Sequence, residues 1–145
     1  MRYYQLCVAA LTVAWLSGVG QAQTALSMEE YAKLMKSNAQ SFGAANKAIG
    51  SGAYADAKAG LATVRQNFVT LEGFWTGKRD DAVGILKDAV SKIDALDKML
   101  SAPTVDQVAA QAAAKELQGS SCGACHKLYR EGDNQTGFRF RPGIL

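Results

Sequence analysis

This chain is short of the residues that usually carry chemistry. Its 145 residues include one histidine, three cysteines, two prolines and two tryptophans. One histidine excludes bis-histidine ligation of a metal within a single chain. Two prolines and 8% aromatic residues leave little to interrupt helices in an alanine-rich sequence. Charge of one sign is also lacking: 16 basic residues against 13 acidic ones give a net +3, with both signs interspersed. That is too little positive charge for a nucleic-acid binder. With 48% hydrophobic and 20% charged residues, the composition excludes a disordered or collagen-like chain and a multi-span membrane protein. The length suits one domain.

The first residues read as an address. Arg2 gives a basic start, and Leu6 to Val19 carries no charge. That run falls short of the roughly 20 residues that span a membrane. Gly20-Gln21-Ala22 places small residues at −3 and −1 of a cut after Ala22. Residues 1–22 are therefore expected to be a cleaved secretory signal, exporting the protein to the oxidising periplasm. Cys7 leaves with it, and Cys122 and Cys125 remain.

The remainder reads as four helices. From about Ser27 to Ile49, the residues Met28, Tyr31, Met35, Asn38, Phe42, Ala45 and Ile49 recur three and four apart, as one helical stripe. Ser27 and Glu30 form a capping box, Leu26 can staple onto Tyr31, and Gly50-Ser51-Gly52 stops the helix. A second helix runs from about Ala53 to Leu71 with a stripe of Tyr54, Ala57, Leu61, Val64, Phe68 and Leu71. Glu72 to Lys78, holding Gly73, Trp75 and Gly77, reads as a loop. Asp80 or Asp81 caps a third helix, striped by Ala82, Leu86, Ala89, Ile93, Leu96 and Leu100 and broken by Ser101-Ala102-Pro103. Thr104 to Gln107 is a second capping-box pattern, opening a fourth helix to about Leu117. Gly119-Ser120-Ser121 interrupts it, and a helical turn resumes around Cys122 to Arg130. Such narrow stripes and short connections predict an all-α, up-down-up-down four-helix bundle over residues 23–130. The tail, 131–145, reads as extended or irregular, although Phe138 and Phe140 alternate with Arg139 and Arg141.

One motif carries chemistry. Cys122-Gly-Ala-Cys125-His126 is the C-x-x-C-H signature of c-type haem attachment. Cysteines three apart lie about one helical turn apart, so each can bond one vinyl group of the porphyrin. His126 then lies under the iron as an axial ligand. Gly123 and Ala124 are small enough for close approach of the ring. One motif implies one haem c, and an exported chain is where such haem is attached. A thioredoxin-like pair would open a helix after a strand, which is missing here. Half of a zinc site would need further ligands. The sixth iron position is left to methionine, another weak ligand, water or nothing. Met35, mid-stripe, is the first candidate, against the ordinary role of such a methionine as core filler; Met28 and Met99 are poorly placed.

These residues resemble the class II c-type cytochromes, which include cytochrome c′: exported four-helix bundles with C-x-x-C-H near the C-terminus. Cys122 to Arg130 is similar to their haem-binding end, and Tyr31-Ala-Lys-Leu34-Met35-Lys36 to their distal segment, with Met35 at the residue facing the iron. Phe74-Trp75 through Asp80-Asp81-Ala82-Val83 resembles the low-spin members. The tail is longer than the usual family ending. The resemblance implies one of two functions. A methionine-ligated electron carrier would serve a redox partner protein whose identity the sequence does not give. A five-coordinate cytochrome c′-type protein would bind a diatomic gas, nitric oxide or carbon monoxide, with Met35, Leu34 and Phe42 as distal wall. Such bundles also dimerise through their first helices, which makes a second copy of the chain a candidate partner.

Arg130, four residues after His126, is a candidate for a haem propionate, or else a basic residue favoured at a helix C-terminus. Lys127, Arg139 and Arg141 make this end basic, as suits docking of an acidic redox protein or simple solvation. A third reading has no haem: an exported helical interaction module with an incidental disulfide. No base–nucleophile constellation suggests an enzyme. Gly50-Ser-Gly52-Ala-Tyr-Ala55 mimics a dinucleotide-binding loop but follows a helix rather than a strand, and Asn134-Gln135-Thr136 is a chance-level glycosylation sequon. If the leader is correctly placed, N-terminal sequencing of exported protein reads Gln23 first; retention of Met1 would refute the cleavage.

Overall fold

The apolar stripes dictate the architecture. A computed structural model describes residues 26–133 and 135–145; the signal-peptide assignment to 1–22 and Asn134 of the sequon lie outside them. Helices α1 (Met28–Ser51), α2 (Tyr54–Trp75), α3 (Asp80–Leu100) and α4 (Gln107–Leu117) pack in sequence, and α4 returns against α1. Among the described residues no helix is long and apolar enough to cross a membrane.

Stripe and core coincide along α3, where all six stripe residues are buried. On α2, Ala57, Leu61, Val64, Phe68 and Leu71 are buried, with Tyr54 partly so. On α1, Tyr31, Asn38, Phe42, Ala45 and Ile49 are buried, Met35 is half-buried and Met28 is exposed. The first capping box forms as its sequence requires. Ser27 Oγ accepts from the Glu30 amide at 3.2 Å, and Glu30 returns a carboxylate to the Ser27 amide at 2.8 Å. Gly52, at φ 76°, closes α1 in the left-handed conformation, so the dinucleotide-loop lookalike is a helix C-cap.

Four local expectations are corrected. The expected loop from Glu72 is helix as far as Trp75, because Phe74 and Trp75 continue the buried stripe and their burial outweighs Gly73. Neither Asp80 nor Asp81 caps α3; both are helical, and Arg79 stands at the N-cap without a side-chain hydrogen bond. Asp106 rather than Thr104 caps α4, accepting from the Ala109 amide at 3.0 Å. Gln107 instead bridges to α1, donating to the carbonyls of Ile49 and Gly50 at 2.7 and 2.8 Å. The glycine–serine segment after Leu117 does not break the helix. It widens into a π-helical stretch, Gln118–Gly123, which continues into α5 (Ala124–Tyr129).

Beyond α5 the tail is ordered as an antiparallel hairpin of β1 (Arg130–Asp133) and β2 (Gly137–Phe140), pairing Arg130 with Phe140. Its anchor is Phe140, whose ring lies 5.1 Å from Tyr31 and 5.3 Å from Trp75. Arg79 then donates to the carbonyls of Gly143 and Ile144, at 2.8 and 3.3 Å. The helical domain therefore ends at Tyr129, and the hairpin packs on it.

Helices α1 and α2 approach closely at Gly60, where a Cβ would stand 2.8 Å from the Ser41 carbonyl oxygen and 3.1 Å from Ala45 Cβ. Backbone cannot yield as a side-chain tip can. Gly60→Ala should therefore lose about 1–2 kcal/mol in denaturant unfolding despite its better helix propensity. Gly84→Ala, with nothing within 4 Å of its Cβ, should gain about 0.5–1 kcal/mol. Equal effects would show that the contact is not tight.

Candidate haem-attachment site

The π-helical stretch sets the direction of the motif. Leu117, Ser121, Cys125 and Tyr129 are all buried at steps of four. In a regular α-helix each such step overshoots a full turn by about 40°, and three would carry the stripe off the core. Wider π turns absorb the excess, so the cysteine segment stays turned inward.

Between the helices lies a partly open cavity of about 360 Å³. Phe42, Val64, Phe68, Ile85, Leu86 and Ala89 give it an apolar wall, and Met35, Cys122, Cys125 and His126 reach it together. A second cavity of about 500 Å³ lies under the hairpin, bordered by Met28, Tyr31, Arg130, Phe138 and Phe140. Met35, Ala39, Cys125 and His126 border both. The fold thus gathers two thiols, one thioether and the sole imidazole at one place.

Both cysteines are free thiols. Burial pushes the Cys125 thiol up to about 11, reinforced by negative charge at Cys122 and Asp81, and burial also raises Cys122. His126 moves the other way: burial, then the charge of Arg130, depress its pKa. Its imidazole is accordingly neutral at pH 7, the form that coordinates a metal. Protonated thiols and a neutral imidazole on an apolar cavity fit the chemistry of covalent haem attachment. Two residues of the lining, Asn38 and Ser121, each hold a buried side-chain atom without a hydrogen-bond partner, Nδ2 and Oγ.

The other sequence candidates divide. Phe42 lies on the inner cavity wall, as expected. Leu34 packs partly buried against the core and borders neither cavity, because adjacent helical residues point about 100° apart. Arg130 does not share a helical face with His126: it is the extended residue closing α5, at ψ 142°. It borders the second cavity, with its guanidinium 4.0 Å from the Phe138 ring centroid. Arg139, itself exposed, is paired to Glu131 at 2.9 Å, and Lys127 and Arg141 are exposed cations of the same end. Sequence reasoning counted Asn38 as one more stripe member and missed that an amide in an apolar stripe is itself a signal. Phe68 was recoverable from its place in the α2 stripe. Phe140 was not, since its role depends on the hairpin folding back.

No known family model, curated protein or solved structure matches the chain. The likeness to class II cytochromes therefore rests on the residues already described.

The thiols make the site testable without a cofactor. In the haem-free chain at pH 8, Cys125 should alkylate at least about tenfold more slowly than in denaturant, because a raised pKa leaves little thiolate. Equal rates would mean that the segment is not folded inward.

Proposed function

We propose that this chain is a periplasmic monohaem c-type cytochrome: an up-down-up-down four-helix bundle with one covalent haem c, acting as an electron carrier. The observation that carries the reading is the convergence of Cys122, Cys125, His126 and Met35 on one apolar cavity. Cys122 and Cys125 would each add a thiol across a vinyl group, sulfur to one carbon and hydrogen to the other. His126 would hold the iron from one side and Met35 would supply the sixth ligand. The bound haem contributes a one-electron couple, which histidine–methionine ligation shifts to higher potential.

The chain's own residues supply the rest. Phe42, Phe68 and Leu86 give the inner face an apolar lining. Arg130 stands where it can balance a propionate at the outer cavity. The hairpin is anchored beside that edge through the contact of Phe140 with Tyr31. Lys127 and Arg141 offer positive charge to an acidic redox protein. No catalytic role is assigned. Ligand binding, as in five-coordinate cytochrome c′, is the second reading, and the apolar cavity beside Met35 and Phe42 favours it.

Absorption spectra of exported protein, oxidised, reduced and reduced under carbon monoxide, test this. A covalent, low-spin chromophore insensitive to carbon monoxide is expected, and Met35→Ala should convert it to high spin. Carbon monoxide sensitivity in the unaltered protein would shift the reading to ligand binding. Cys122→Ala with Cys125→Ala should abolish covalent haem, and native protein without any would sink both readings.

A further inference from the structure

The hairpin carries two aromatic rings and spends only one of them on the bundle. Phe138 and Phe140 lie two apart in β2, so they project from the same face. Phe140 packs partly buried against the core, with its ring stacked 6.1 Å from Phe74. Phe138 stays 50% exposed, with the Arg130 guanidinium 4.0 Å from its ring centroid. It nevertheless borders the outer cavity, together with Met35, Cys125 and His126. The two cavities differ in charge. No Asp, Glu, Lys or Arg borders the inner one. Lys36, Arg130 and Arg139 border the outer one, and no acidic residue does. Arg139 is paired to Glu131, whereas Lys36 and Arg130 have no carboxylate partner among the described residues. A group that fills both cavities across the residues they share therefore needs an apolar body and an anionic edge. That edge belongs on the hairpin side, because carboxylates leave water only where cations meet them.

We propose that the C-terminal hairpin is a wall of the haem site, with Phe138 packing on the carboxylate-bearing edge of the ring beside Lys36 and Arg130. The inference rests on the haem reading above and gives the chain beyond the bundle a part in holding the group. Haem has the required form, an apolar plane with both carboxylates on one edge. Phe138 is then a binding residue rather than a stray exposed ring. Ring and haem stabilise each other: the haem covers the exposed part of Phe138, and Phe138 keeps water from that edge.

The covalent haem band of the exported protein is read first. Its absence would refute the haem reading directly, and this inference with it. Trypsin cleavage after Arg139 then reads the docking of the tail, because the bond must open locally before it is cut. The rate is measured with and without haem, in the unaltered protein and in Phe138→Ala. Haem steadies the bundle in both, so comparing the two protection ratios isolates the contact between ring and haem. Haem should slow the cut about fivefold more with Phe138 than with alanine, the scale of covering the exposed half of a phenylalanine. The haem-free pair controls for folding and for any change in how trypsin reads the site. If the alanine variant folds poorly, Phe138→Thr, a strand former without a ring, replaces it. The reduction potential of Phe138→Ala should also fall, since water at the haem edge favours the more positively charged oxidised iron. Equal protection by haem in the two proteins, or an unchanged potential, overturns the proposal.

Discussion

Everything at the site depends on the phase of one helix. From Gln107 to Tyr129 the backbone stays helical, with Leu117, Gly123 and Ala124 all near φ −60° and ψ −45°. What changes is the pitch. The π-helical segment slows the rotation per residue just where the buried positions change from a three-and-four rhythm to successive fours. Without it, Cys125 and Tyr129 would swing off the core, and His126 would leave the wall it shares with Met35. The irregularity is therefore a device for aiming side chains, placed immediately before the residues that need aiming.

The second organising feature is the aromatic cluster at the same end. Tyr31, Phe74, Trp75, Tyr129 and Phe140 come from α1, α2, α5 and β2, and Trp75 is fully buried among them. It joins the start of the first helix to the end of the last. Ion pairs matter less. The Arg65–Asp94 pair between α2 and α3 is bidentate, at 2.6 and 3.1 Å, yet both side chains are about half exposed, so water competes for it.

The three long helices were legible because each has one dry face and a period that fits nothing else; nearly every stripe residue of α2 and α3 is buried. Their ends were less so. Gly73 and Gly77 looked like punctuation, but the burial of Phe74 and Trp75 decided where α2 stops. Thr104 and Gln107 matched a capping pattern, but Gln107 had carbonyls of α1 within reach and Asp106 stood one residue before the helix. Gly119-Ser120-Ser121 read as a break because short-range propensity cannot see that a wider turn keeps Ser121 and Cys125 inside. The cysteines and histidine were evident from spacing alone. Asn38 and Phe140 were not, since one depends on Asn67 across the bundle and the other on a chain reversal.

The hairpin also says something about the order of events. Its strands are neighbours in sequence and can pair early, since closing so short a loop loses little entropy. Its docking surface cannot exist early. The rings that receive Phe140 belong to helices far apart along the chain, and the strap from Arg79 to Ile144 closes across 65 residues. Contacts of such separation form only after the intervening elements have met. The tail is thus a latch whose seat is assembled by the rest of the chain, so its docking reports on helices that lie far apart in sequence.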